Sequence, residues 1–89
     1  MDIIWDLPDD PKGNIQHIAE HGVTPEEVEE VLRDRGSQHT VSRSTGNRLT
    51  FGYTSTGRHL AVVWEKALDD PLMVYPHTAY DAPEQKKRR

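Results

Sequence analysis

The spacing of apolar residues changes part-way along the chain. Between residues 14 and 21 apolar side chains recur at intervals of three and four, which predicts a first helix. The segment 24–35 shows the same spacing and is predicted to form a second helix. From Ser37 onwards β-branched and aromatic residues predominate, which is typical of strands. The pattern therefore predicts a helical first part followed by a sheet.

The junction between the two predicted helices carries the clearest local signals in the sequence. Gly22 is predicted to end the first helix, because glycine adopts the left-handed backbone conformation without a steric clash. Thr24 is predicted to cap the second helix, with Pro25 at its first position and Glu27 completing a capping box. Gly36 is predicted to end that helix. These signals predict two helices joined by a tight turn.

Period-two alternation and turn residues delimit the predicted strands. The segment 48–54 alternates apolar and polar residues, whereas 58–66 is apolar on both faces, which indicates a central strand. Gly57 is predicted to take a positive φ in the hairpin loop between them. Pro76 indicates that the last strand ends there or lies at an edge, and residues 78–83 are predicted as coil. Further strands are predicted for residues 2–6, at a sheet edge, and for 39–44 and 72–77.

This order of elements predicts an α+β domain with two N-terminal helices packed on one face of a three- to four-stranded antiparallel sheet. One domain is predicted over residues 1–82, and the basic segment 83–89 has the composition of a disordered tail. With only 34% hydrophobic residues, the core is predicted to depend on a few large aromatic side chains. These are Trp5, Phe51, Tyr53, Trp64 and Tyr75.

Charge is segregated along the chain, although the net charge is only −4. Residues 1–34 carry ten acidic side chains against two basic ones, whereas residues 35–66 carry five basic side chains against one acidic. An acidic helical part beside a basic sheet allows an anionic ligand or an acidic partner on the sheet. The predicted docking surface lies around Arg43, Arg48 and Arg58, and both Arg48 and Arg58 are expected to be exposed.

Composition and spacing exclude several classes of site. The absence of cysteine removes disulfides, thiolate zinc sites and cysteine nucleophiles. No apolar run is long enough to span a membrane and the N-terminus is acidic, so a soluble, cytoplasmic protein is predicted. His17 and His21 lack the glutamate of a zinc-protease helix, and no glycine-rich phosphate loop is present. The acidic second helix would repel DNA phosphates, so direct DNA reading is rejected.

Three stretches of the chain resemble the BrnT-like toxins, which are small RelE-type ribonucleases of bacterial toxin–antitoxin pairs. The first runs from Trp5 through the motif HGV, at residues 21–23, into a glutamate-rich helix. The second is the segment 57–64, GRHLAVVW, which is similar to the family's Gly-Arg turn and apolar central strand. The third, residues 74–80, is similar to the family's last strand. Over residues 3–82 the resemblance implies a RelE-like fold and a type II toxin that cleaves RNA without a metal.

Metal-independent RNA cleavage requires a base for the 2′-hydroxyl, a cation for the phosphorane and an acid for the leaving oxygen. Imidazole, guanidinium and phenol groups suit these roles. Candidate catalytic residues are Arg48, Arg58, His77, Tyr80 and His21, with His17 one helical turn before His21. Structural roles are also open to them, since His21 follows a helix, Arg58 lies in a hairpin and Tyr80 can bury its ring.

The resemblance implies two partners, an RNA such as an mRNA and a cognate antitoxin protein. The antitoxins of RelE-type toxins wrap the toxin with a segment that folds on binding, and DNA is reached only through that complex. No cofactor, metal ion or membrane is predicted as a partner. The alternative is a catalytically silent family member that acts as a protein-binding module. It is favoured by Tyr80, which stands where the family's Ser-Ala-Arg motif has an arginine.

Overall fold

Two helices and five strands make up the part of the chain that the structure, a computed structural model, describes: residues 1–83. Residues 84–89, which hold most of the predicted basic tail, lie outside the described residues. The predicted α+β class is confirmed. Neither described helix is long and apolar enough to cross a membrane. In chain order the elements are β1 (Asp2–Ile3), α1 (Asn14–Ala19), α2 (Pro25–Arg33), β2 (Gln38–Val41), β3 (Arg48–Tyr53), β4 (His59–Leu68) and β5 (Met73–Asp81).

The strands form a single mixed sheet in the order β1-β5-β4-β3-β2. Strands β2 to β5 are antiparallel neighbours, as predicted, and β4 is central. The expectation of a wholly antiparallel sheet of three to four strands is wrong, because β1 adds a fifth strand parallel to β5. This pairing joins Asp2 to Met73 and Ile3 to Val74. A strand of two residues is too short for its sequence pattern to show which strand it pairs with or in which direction.

Strand β5 extends beyond the residue at which proline was expected to end it. It continues to Asp81 and pairs with β4 as far as Leu60, so the predicted coil is wrong for residues 78–81 and correct for 82–83. Pro76 is tolerated because β1 pairs only with the start of β5, which leaves the proline at a local edge. There the Asn14 side chain donates to the Pro76 carbonyl at 3.0 Å. The proline therefore removes no ladder hydrogen bond on that side.

The core lies between the helix pair and one face of the sheet, and it is aliphatic. The expectation of aromatic core residues is confirmed only for Trp5 and Trp64, which are half-buried and pack against the aliphatic cluster. It is wrong for Tyr53, which is 45% exposed, and for Phe51 and Tyr75, which do not pack against that cluster. The predicted alternation of side chains between the two faces of β3 is correct, but such a pattern cannot show which face packs against the helices. The fully buried side chains include Ile18, Val28 and Val31 from the helices and Leu60, Val62 and Val74 from the sheet.

The turn between α1 and α2 has the predicted geometry. Gly22 has a φ of 71°, and the Val23 and Gly22 N–H groups donate to Ile18 and Ala19 carbonyls at 3.1 and 2.9 Å. These two hydrogen bonds are the Schellman pattern that ends a helix at a left-handed glycine. The capping box is also present, as both Thr24–Glu27 hydrogen bonds form. Local signals therefore determine this turn.

Both helices end two residues before the predicted position. In α1 the last two residues belong to the Schellman turn instead of the helix. In α2, Asp34 is already extended, and the Ser37 hydroxyl donates to the Val31 carbonyl at 2.6 Å. That side chain satisfies a carbonyl that a further turn of helix would have used. Gly36 therefore does not end the helix.

Replacing Thr24 by alanine is expected to lower the free energy of unfolding by about 1 kcal/mol, because the Glu27 N–H loses its acceptor. Chemical denaturation measures this difference. Thr40→Ala is the matched control, since Thr40 is exposed on β2 and caps no helix. Equal losses in the two variants would contradict a capping role for Thr24.

Candidate functional site

The face of the sheet that the helices leave uncovered, here called the open face, carries most of the large side chains missing from the core. Gly52 lies on the helix side, where an added Cβ would come within 3.2 Å of Val31. Its neighbours Phe51 and Tyr53 therefore point to the open face. On β4, Leu60 lies in the core, so His59 points the other way. The same alternation brings Tyr80 to the open face, next to core residue Ala79.

Five side chains form a band across the open face and around its edge: Phe51, Tyr53, His59, Tyr80 and His21, here called the aromatic band. The Tyr53 and His59 rings stack with their centroids 4.5 Å apart, and the Phe51 and His59 ring centroids are 6.4 Å apart. Phe51 and Tyr80 flank Ala61 in the ladder, which puts them two strand spacings, about 10 Å, apart. The Tyr80 ring meets the His21 ring edge-on at 6.2 Å.

The end of the aromatic band at Tyr80 and His21 combines a phenol with two imidazoles. His21 lies in the Schellman turn after α1, and α1 packs along β5. His17, one turn earlier, puts its ring 5.9 Å from that of His21. All three side chains are exposed. The corner can therefore offer proton donors and acceptors to a ligand lying on the open face.

Arg58 lies behind this corner and is held by all five of its N–H groups. Its Nε and Nη2 donate to the Asp81 carboxylate at 2.6 and 3.0 Å, and Nη1 donates to Glu27 at 3.1 Å. The remaining two N–H groups reach the Gly22 and His21 carbonyls at 2.8 and 3.3 Å. The side chain is 26% exposed, so the expectation of a freely exposed arginine is wrong.

The arrangement makes Arg58 a clamp between the α1–α2 turn and the end of β5. Hydrogen bonding to Asp81 raises the pKa of Arg58, and the same bond lowers the pKa of Asp81. A phosphate would have to displace one of these acceptors in order to bind the guanidinium. Arg58 instead neutralises Asp81 and Glu27 beside the band and fixes His21 next to Tyr80.

Arg48 and His77 lie away from this corner. Arg48 is at the other end of β3 from Tyr53, about 16 Å along the strand. Its side chain lies on the helix side of the sheet, with the guanidinium over the Trp64 ring. The three arginines of the expected docking surface therefore do not form one patch. His77 lies roughly 10 Å along β5 from Tyr80, with its Nε2 3.2 Å from a Glu65 oxygen. Of the five predicted catalytic residues, the fold gathers His21, Arg58 and Tyr80.

Sequence reasoning did not single out His59, and it assigned Phe51 and Tyr53 to the core. The missed signal is Gly52, because a glycine inside a strand marks a close approach of other atoms on its face. An added Cβ would overlap the Ser37 hydroxyl. The face that carries Gly52 is therefore the packed one, and its two aromatic neighbours belong to the open face.

A second polar cluster, formed by Asp6, Asn14 and Tyr75, serves the fold. The buried Asn14 amide donates to the Ile4 and Pro76 carbonyls and its backbone N–H donates to Asp6. The Tyr75 hydroxyl donates to Asp6 at 2.5 Å, which raises the pKa of Tyr75 to about 12 and lowers that of Asp6. These bonds tie the N-terminal segment and α1 to β5.

The chemistry open to the aromatic band is stacking and proton transfer. Aromatic rings on an exposed sheet accept nucleobases, and an imidazole beside a phenol can exchange protons with a ligand. Among the described residues, no three histidine or carboxylate side chains converge as a metal site. Comparisons with protein-family models, with curated proteins and with solved structures give no match to this chain.

Proposed function

We propose that this domain is a RelE-like toxin of the BrnT type that cleaves single-stranded RNA at the aromatic band without a metal ion. The observation that carries the proposal is that the fold places two ring pairs, Tyr53–His59 and His21–Tyr80, on the open face and at its edge, on either side of Ala61. Exposed aromatic rings on a sheet bind successive bases because every base offers a stacking face. The band ends where proton-transferring groups lie.

Each group at the corner receives a proposed role. His21 takes the proton of the 2′-hydroxyl as the 2′-oxygen attacks phosphorus, and Tyr80 protonates the departing 5′-oxygen as the bond from phosphorus to that oxygen breaks. The products are a 2′,3′-cyclic phosphate and a free 5′-hydroxyl, so atoms and charges balance without water or a metal ion. Arg58 is a positioning residue that sets His21 against Tyr80. Arg48 and His77 lie too far away to share this step.

The proposal includes a cytoplasmic location and a cognate antitoxin as protein partner, with DNA reached only through their complex. The basic strands support an acidic partner, since charge of opposite sign favours encounter. Arg43 is exposed and Arg48 lies at the start of β3. Because Arg58 has its own acidic neighbours, we place the partner's contact at the β2–β3 end of the sheet.

A second candidate function is a catalytically silent family member that only binds protein. The observation in its favour is Arg58, whose five N–H groups all have acceptors and so offer nothing to the phosphorane. Loss of this stabilisation would slow cleavage, since charge stabilisation is commonly the largest part of catalysis. The two functions differ in whether the His21–Tyr80 corner acts on RNA at all.

Incubating the protein with free mRNA, with and without EDTA, tests the proposal, and ribosome-bound mRNA is assayed separately with Mg²⁺ present because EDTA dissociates ribosomes. We expect cleavage in both conditions, and at least tenfold slower cleavage in His21→Gln and in Tyr80→Phe, because each variant removes one proton-transfer group. His39→Gln is the matched control, an exposed histidine on β2. RNA ends carrying a cyclic phosphate would identify the chemistry.

Three outcomes would contradict the proposal. Cleavage abolished by EDTA would require a metal site, and equal rates in wild type, His21→Gln and Tyr80→Phe would place the chemistry elsewhere. If neither RNA is cut and induction does not arrest growth, the protein-binding function replaces the nuclease.

A further inference from the structure

An apolar groove lies on the helix side of the sheet, beyond the end of α2 and beside strand β2. It has a volume of about 370 Å³, and Leu32 and Trp64 are among the residues that line it. Met1, Val41 and Leu72 also line it, with exposed fractions of 44%, 53% and 38%. Apolar side chains gathered around a concave surface mark a binding site more often than scattered ones do. None of these residues belongs to the aromatic band.

The cation at the groove, Arg48, forms no close ion pair, although its charge helps Lys66 to lower the pKa of Asp69. The Arg48 guanidinium stacks over the Trp64 ring at 5.8 Å, and among the described residues no carboxylate comes within 4.0 Å of it. Trp64 is held in turn by its Nε1, which donates to the buried Thr50 hydroxyl at 2.8 Å. The cation is thus preorganised on a fixed aromatic ring, ready for a carboxylate.

Strand β2 borders the groove with an unpaired edge. It pairs with β3 on one side only, as the last strand of the sheet, and its four residues are exposed. The Ser42 N–H donates to the Asn47 carbonyl, so the backbone groups of Ser42 point inward, towards the chain that leads into β3. In an antiparallel pair the inward bonds fall on alternate residues, so the backbone groups of His39 and Val41 face outward. These groups can receive another strand.

We propose that the groove and the β2 edge bind one extended segment of a partner protein, in which apolar residues alternate with acidic ones. The segment adds a strand to β2, an apolar side chain fills the groove over Trp64, and a carboxylate pairs with Arg48. The inference rests on the protein partner of the proposed function and not on its RNA chemistry. It adds the mode of docking to the partner contact placed above at the β2–β3 end of the sheet.

Charge favours an acidic partner segment over a second copy of the chain and over the chain's own C-terminal segment. A second copy pairing through β2 would set the cations of one edge, Arg43 among them, against those of the other. The chain's own C-terminal segment carries Lys86, Lys87, Arg88 and Arg89, the same sign as Arg48. An acidic segment alone complements both the groove and the edge.

The test uses an array of synthetic nonapeptides in which Val, Leu or Ile alternates with Glu or Asp, beside the same array with Lys in place of the acids. Wild-type protein is expected to bind acidic members and not the lysine members. NMR shifts on binding are expected at His39 and Val41 and not at Tyr53 or Tyr80. Arg48→Glu is expected to weaken binding at least tenfold, whereas Lys12→Glu, the same charge reversal on an exposed loop, leaves it unchanged.

A second variant tests the strand pairing separately. Val41→Pro removes one outward N–H and is tolerated at an edge, so it is expected to abolish binding while the thermal midpoint stays close to that of wild type. Equal binding of acidic and lysine peptides, unchanged affinity in Arg48→Glu, or shifts confined to the aromatic band would overturn the inference. Failure of the proposed antitoxin pairing gives a different result, because a candidate antitoxin would not bind whereas the acidic peptides still would.

Discussion

Arg58→Ala is expected to lower the free energy of unfolding by about 2–3 kcal/mol. The substitution removes five hydrogen bonds, each worth about 1 kcal/mol net, and the total is reduced because the side chain is partly exposed to solvent. It also leaves Glu27, which is half-buried, without its cation. Urea denaturation of wild type and variant gives the difference, with Arg43→Ala as the exposed control.

The same variant has a predicted pH dependence. The hydrogen bond from Arg58 holds the pKa of Asp81 below the ordinary carboxyl value of 3.8. The pair therefore stabilises the folded state fully above about pH 4, and this stabilisation is lost as pH falls through the folded-state pKa. The stability difference between wild type and Arg58→Ala should be full at pH 7 and shrink below pH 4. A difference independent of pH would contradict the ion pair as its cause.

Gly52→Ala is expected to cost about 2 kcal/mol, because overpacking a close contact forces the backbone or its neighbours to move. The new Cβ would overlap the Ser37 hydroxyl oxygen and would lie 3.1 Å from the Ser37 Cβ and 3.2 Å from Val31. Gly36→Ala is the matched control, since its nearest contact is at 3.7 Å. Thermal or chemical denaturation of the two variants measures the difference.

A double-mutant cycle identifies the contact responsible. In a Ser37→Gly background two of the three close contacts to the new methyl group are gone, so Gly52→Ala should cost less there than in wild type. Additive losses would show that the Ser37 contact is not the source of the strain, and that strand β3 does not press on the α2–β2 connection.

The parts of the fold that could be predicted from the sequence are those set by neighbouring residues. The α1–α2 turn follows from Gly22, Thr24 and Glu27, whose caps act within five residues of one another. The parallel pairing of β1 with β5 depends on residues about seventy positions apart and leaves no local pattern. The prediction that β5 ends at Pro76 failed for a related reason, because the effect of the proline depends on where the distant strand β1 ends.

The candidate site was predictable only in part. The residue types at His21, Arg58 and Tyr80 indicated chemistry, and the fold brings these three together. What the types could not show is that Asp81, Glu27 and two carbonyls consume every Arg58 donor. Phe51 and Tyr53 were misplaced because alternation fixes that two residues share a face but not which face is covered.

The most direct test of the central claim is an NMR titration of the protein with a short single-stranded RNA carrying 2′-O-methyl groups, which binds but cannot be cleaved. Because the 2′-hydroxyl is blocked, the spectra report binding alone. Stacking of bases on the aromatic band predicts shifts in the ring signals of Phe51, Tyr53, His59 and Tyr80, and none at Val41 or Leu72 of the groove. Shifts at the groove with an unperturbed band, or no shifts at all, would contradict the account.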